Sequence, residues 1–147
     1  IGVRISPEIE RIGIALDDSI KLLSILTDEG IDFIHLSCWN AFKRSISYRN
    51  NSKTLTEWFA TSLNNPPPII STGKVWSHKD AQHLLNQGAD LIGVGRAAIG
   101  HPDWATQVKN LNYDPAKPPF SVAELRKAKL SDVFIDYMRN WEGFVCD

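Results

Sequence analysis

Gly95 and Arg96 close the apolar run Leu91-Ile-Gly-Val-Gly-Arg-Ala97, and that pairing suits anion binding. A glycine lets backbone N–H groups approach a phosphate closely, and a guanidinium clamps it with a two-pronged fork. The same grammar occurs earlier in Pro68-Ile-Ile-Ser-Thr-Gly73, where Thr72, Gly73 and Lys74 end a second apolar run. Two strand ends about twenty residues apart, with a helix between, are how the last strands of a barrel hold a phosphate. Thr72, Gly73, Lys74, Gly95 and Arg96 are therefore the candidate phosphate residues.

A second candidate is Arg4, between Val3 and Ile5. In a strand it faces away from both neighbours. A charge on a buried strand needs a partner, either a ligand or an interior carboxylate. His35 shares the alternation of Phe33 and Ser37 and reads first as a hydrogen-bonded interior residue. Cys38 follows a strand end, but no basic neighbour in sequence lowers its pKa, so it reads as an inert thiol. His78 and His83 fall on a helix face expected to meet solvent, and His101 in a turn. Trp39 and Trp76 follow strand ends and border any site there, or simply pack. No residue is assigned as catalytic, and no histidine pair has metal-ligand spacing.

The elements that must position these residues alternate. Strands are expected at 1–6, 31–37, 68–72 and 90–96, and residues 38–52 read as a long polar loop. Helices are expected over 16–26, 54–63 and 77–87, with a short one in 102–111. Thr54 with Glu57, Ser77 with Asp80 and Ser121 with Glu124 have capping-box spacing, and the last helical region is expected to break near Leu130. Repeated strand–helix alternation means parallel βαβ units, in a barrel or a doubly wound sheet. No Gly-x-Gly-x-x-Gly follows the first strand, which disfavours the dinucleotide-binding sheet. The expected fold is α/β, a (β/α)8 TIM barrel, of which this chain supplies the last four units. Residues 1–114 would form that half-barrel and 115–147 a linker and C-terminal helical extension.

Composition narrows the partners. The 16 basic and 17 acidic residues nearly cancel, leaving no polyelectrolyte signature for nucleic acid. No apolar run reaches the ~20 residues that cross a bilayer, so no membrane association is expected. Two distant cysteines form no disulfide framework, and a cytoplasmic location is the default. The 147 residues begin inside a strand pattern without Met and look like the C-terminal part of a longer chain. A fragment, a partly ordered chain and a naturally short protein all stay open. The exposed edges of a half-barrel predict a homo-oligomer or a missing N-terminal half.

Five segments occur in order: Val3-Arg-Ile-Ser6, Gly30-Ile-Asp-Phe-Ile-His-Leu-Ser37, Ile70-Ser-Thr-Gly73, Gly88-Ala-Asp-Leu-Ile-Gly-Val-Gly-Arg96 and His101-Pro-Asp-Trp104. Together they resemble the C-terminal half of the Old Yellow Enzyme family of FMN-dependent NAD(P)H:flavin oxidoreductases. The tail Asp136-Tyr-Met-Arg-Asn-Trp-Glu-Gly-Phe144 is also similar to family C-termini. The resemblance implies FMN at the C-terminal strand ends, with Arg4 at the N1/O2 edge of the flavin. Gly73 and its neighbours, with Gly95 and Arg96, would hold the FMN phosphate. It implies hydride transfer from NAD(P)H through the flavin to a small electron-poor alkene of the enone type. Lys74 stands where family members often have a second glycine. The family's substrate clamp and proton donor lie upstream of the matched segment, so the isolated chain is expected to be inactive. Two alternatives remain: a phosphate-binding barrel without flavin, and a non-catalytic half-barrel remnant or interaction module.

Overall fold

Acidic and capping residues start the helices where the sequence places them. Asp17 and Asp18 sit in the first turn of α1 (Leu16–Asp28), favourable to the helix dipole. Gly30, at φ 83, ends it in a left-handed turn. In α2 (Leu55–Ser62) the capping box forms reciprocally: the Glu57 amide donates to the Thr54 hydroxyl, and the Thr54 amide to the Glu57 carboxylate. Third comes α3 (His78–Asn86). Between these helices run β1 (Gly2–Ile5), β2 (Phe33–Ser37), β3 (Ile69–Thr72) and β4 (Leu91–Gly93).

The computed structural model describes residues 1–147. The chain divides into two units, Ile1–Val75 with Asp80–Gly93, and Trp76–Lys79 with Val94–Asp147. In the first unit the four strands form one parallel sheet in the order β1-β2-β3-β4, following the sequence as expected. Strand alternation splits their side chains between two faces. One face carries Ile34, Leu36 and Ile69, all buried against Leu16 and Leu23 of α1 and against Leu55, Phe59 and Leu63. Burying each such side chain contributes about 1.5–3 kcal/mol, so this face anchors the unit. The other face carries Arg4, Phe33, His35, Ser37, Ile70, Thr72 and Leu91, by the register of the ladders. It is open: Phe33 is 39% and Leu91 55% exposed.

Three boundaries differ from expectation. The fourth strand stops at Gly93, so Arg96 does not end a strand but opens the short helix α4 (Arg96–Gly100). The reason is local: Gly95, at φ −110 and ψ −102, has left the extended conformation. The first two strands begin later, at Gly2 and Phe33. The short helix within 102–111 is a single turn, α5 (Trp104–Gln107).

The second unit has a small core of Trp104, Phe120, Leu125, Ile135, Met138 and Phe144. Its two-residue strands, β5 (Phe120–Ser121) and β6 (Val145–Cys146), pair in parallel. The rings of Phe120 and Phe144 meet edge to face at 5.4 Å, a favoured aromatic geometry. Ser121 and Glu124 form the expected capping box of α6 (Val122–Lys127). The expected break follows, with Lys129 at φ 68 and Ser131 capping α7 (Asp132–Met138). No helix is long and apolar enough to cross a membrane.

Candidate functional site

Parallel pairing sets Arg4 beside His35, and Ser37 beside Thr72 and then Gly93, all on the open face. Arg4 Nη2 donates to Ser37 Oγ at 2.6 Å. His35 Nε2 and Thr72 Oγ1 share a hydrogen bond of 2.8 Å. Gly93 makes room for that bond: a Cβ there would strike the Thr72 hydroxyl and lie 3.4 Å from His35 Nε2. A polar ladder thus crosses three strands, and a glycine on the fourth keeps it clear.

The electrostatics of this ladder are simple. Burial pushes the His35 imidazolium down in pKa, and the Arg4 charge beside it pushes the same way. His35 is therefore neutral at neutral pH. Arg4 hydrogen-bonds to a neutral hydroxyl and joins none of the ion pairs. The interior carboxylate considered as its partner is not there. An arginine on a sheet face with no anion beside it is ready to receive one.

The end of β3 is laced to the loop after β2. The Cys38 amide donates to the Thr72 carbonyl at 2.9 Å, and the Ala41 amide to the Gly73 carbonyl at 3.2 Å. Gly73 sits at φ 146, and a Cβ there would run into the Cys38 carbonyl oxygen. Its glycine is required by backbone conformation and by contact alike. Lys74 follows at φ 57, a left-handed conformation rare for a side chain, with its side chain exposed. The lysine thus departs from glycine where the backbone favours glycine. Lys74→Gly should stabilise the protein by about 0.5–1 kcal/mol, the left-handed cost offset in part by a freer unfolded chain. A urea titration checks this, and an unchanged or lower midpoint would refute it.

Thr72, Gly73 and Lys74 belong to the first unit, and Gly95 and Arg96 to the second. Around Gly95 a Cβ would meet nothing within 4 Å. So Gly95 is not glycine for lack of protein space.

The other candidates resolve into structural roles. His78 Nδ1 is hydrogen-bonded to the Val108 carbonyl at 2.8 Å, and His101 Nε2 to the Ala116 carbonyl at 2.8 Å. The rings of His83 and Phe42 lie 5.2 Å apart. Burial pushes the Cys38 thiol up to about 12. It should react with a disulfide reagent at pH 8 more than about 100-fold slower in native protein than after unfolding. A Cys146→Ser background isolates that rate, and comparable rates would show that Cys38 is accessible and activated.

Sequence reasoning missed Glu8. Its carboxylate accepts from the Ser47 hydroxyl at 2.6 Å, the Ile46 amide at 2.7 Å, and the Ser45 hydroxyl and Ser47 amide at 3.0 Å each. Burial alone would raise its pKa, but these four donors outweigh burial and hold the carboxyl below its ordinary value. No sequence motif marks this contact across 37–39 residues. Ser37 was readable only through its shared alternation with His35.

Comparison with known proteins adds the lineage. The chain is 37% identical over 112 residues to an NADH:fumarate oxidoreductase of Klebsiella pneumoniae (strain 342), covering 74% of this chain and 12% of that protein. It is 33% identical over 114 residues to an NADH:acrylate oxidoreductase of Vibrio harveyi, covering 75% and 11%. It is 23% identical over 146 residues to the "Probable NADH-dependent flavin oxidoreductase YqiG" of Bacillus subtilis (strain 168), covering 99% and 39%. The chain therefore spans from about a tenth to two fifths of the length of these relatives. Residues 8–142 match the dihydrouridine synthase (Dus) family. With nearly its whole length matched, this parallel α/β chain belongs to the dihydrouridine synthase family, TIM-barrel flavin enzymes related to the NADH:flavin oxidoreductases.

Proposed function

We propose that this chain is the cofactor-holding part of an NADH-dependent flavin oxidoreductase of the Old Yellow Enzyme type. In this reading its four strands are the last four of an eight-stranded barrel, completed by an N-terminal half or by a second copy. The observation that carries it is the open face: Arg4 with no carboxylate partner, beside a neutral His35.

The residues there fit the ring of FMN. A guanidinium, an imidazole and two hydroxyls suit the carbonyl and nitrogen acceptors along one edge of a flavin. Arg4 would place its charge at that edge, and Thr72 would hold His35 in one orientation. Thr72, Gly73, Lys74, Gly95 and Arg96 would serve the cofactor phosphate, as the family resemblance implies. When bound, the flavin supplies acceptance and release of a hydride.

The names of the three relatives support NADH as donor, while the named acceptors, fumarate and acrylate, differ. An electron-poor alkene as this chain's acceptor is the finer part of the proposal, as is a cytoplasmic setting. A nucleic-acid substrate, which the family's name suggests, is disfavoured by a net charge of −1.

The test is anaerobic titration of the FMN-loaded full-length protein with NADH. Stoichiometric bleaching of the flavin bands is expected, and a protein that retains no FMN at saturation would end the proposal. Arg96→Ala should weaken FMN binding by about 1.5–3 kcal/mol, the range for a hydrogen bond to a charged group. An unchanged Kd would remove Arg96 from the phosphate site.

A further inference from the structure

A second concavity lies in the first unit, where the loops after β1 and β2 face each other. It has a volume of about 480 Å³ and is lined by Glu8, Ile9, Cys38, Trp39, Lys43 and Ile46, among others. That volume falls within the range of small-molecule sites. Its place at the C-terminal ends of adjacent parallel strands is where α/β sheets bind ligands.

The charge in this cleft is decided by Glu8. Its carboxylate is held by four donors from Ser45, Ile46 and Ser47, so its negative charge is spent on the loop itself. Cys38, with a thiol pKa pushed up to about 12, is neutral. Lys43 is exposed and joins none of the ion pairs. The charge left to meet a ligand is therefore positive. Beside it Trp39 is 71% exposed, an indole available as a stacking surface. Ile9, Ile46 and Leu55 supply apolar wall, and Leu55 is itself 6% exposed.

The Glu8 contacts also set rigidity. They tie the loop that carries Lys43 to the loop after β1, so less ordering is left to be done when a ligand enters. The Leu55 amide, which donates to the Lys43 carbonyl at 3.2 Å, fixes the same stretch to the start of α2.

We propose that this cleft binds a planar, conjugated monocarboxylate, with Lys43 as its counter-ion and Trp39 as its stacking wall. Ser37, the acceptor of the Arg4 hydrogen bond, lines the same cleft. The ligand would thus sit next to the face assigned to the flavin, as an acceptor substrate or a product must. That placement as acceptor rests on the flavin reading, whereas the binding itself does not.

The probes are sodium cinnamate and uncharged cinnamamide, titrated into the full chain without flavin. The readout is the indole N–H resonance of Trp39, identified by its loss in Trp39→Phe. Cinnamate should shift it saturably and bind about five- to tenfold more tightly than the amide, as expected for one charge-assisted contact near solvent. Lys43→Gln should erase that preference, and Lys43→Arg should keep it. Equal affinities for acid and amide would overturn the proposal, as would a preference that survives Lys43→Gln. Loss of the preference in Arg4→Gln, with Lys43→Gln silent, would move the anion to Arg4 and overturn it too. FMN retention, measured separately, decides the flavin reading, so either can fail without the other.

Discussion

Gly73→Ala should destabilise the protein by about 2–5 kcal/mol, a large part of the stability of a domain this size. Two independent costs add. At φ 146 an alanine is strained, and its Cβ would run into the Cys38 carbonyl oxygen and lie 2.9 Å from the Ala41 amide nitrogen. Those atoms are backbone and cannot swing aside as a side-chain tip can. The substitution would also pull at the bonds from Cys38 to Thr72 and from Ala41 to Gly73, which lace β3 to the loop after β2. Gly95→Ala is the control, because a Cβ there meets nothing within 4 Å. Its stability should change by less than about 1 kcal/mol, in the range of ordinary surface substitutions. If Gly95 serves a ligand, the control should nevertheless bind FMN more weakly. Urea unfolding of both variants reads the difference, and similar midpoints would show that the end of β3 yields more easily than its contacts indicate.

That contrast marks what the sequence could and could not reveal. Both glycines stand out as breaks after apolar runs, and nothing in the one-dimensional pattern separates a glycine that the backbone demands from one that protein packing does not. The strand order was legible, because alternating strands and helices with short connections leave few right-handed topologies. Helix starts were legible at Thr54 and Ser121, where the capping box is a local rule. The two faces of the sheet were legible only as parity. Ile69 and Ile70 are equally apolar, and only the packed helices reveal that Ile69 is buried while Ile70 shares the open face with Arg4. The end of β4 was misjudged because Val94 looks like a strand residue, whereas the backbone turns at Gly95. Glu8 was invisible for another reason. Its four donors come from a loop 37–39 residues away, and no periodicity encodes a contact between two loops.

Arg4→Gln should leave the sheet intact and weaken FMN binding by about 1.5–3 kcal/mol, roughly ten- to a hundredfold in Kd. Glutamine still reaches a hydroxyl such as that of Ser37, and Val3 and Ile5 continue to pack on the core. What disappears is the charge. If the guanidinium lies at the flavin edge, it favours the more negative, reduced form, so its removal should shift the midpoint potential downward. An equivalent loss of about 1.5–3 kcal/mol corresponds to about 30–65 mV for a two-electron couple. His35 supplies a second readout that needs no cofactor. Its pKa is lowered first by burial and then by Arg4. In Arg4→Gln only the second cause is gone, so the imidazole pKa should rise without returning to its ordinary value. The sign for stability follows. A histidine whose folded pKa lies below its unfolded one binds fewer protons when folded, so stability is lost as pH falls below the ordinary histidine value. Arg4→Gln should narrow that acid-side loss, which NMR titration of His35 and unfolding between about pH 5 and 7 would both register. A risen His35 pKa with an unchanged flavin potential would confine Arg4 to the sheet. A lowered potential together with a risen pKa is what a cation serving the cofactor requires.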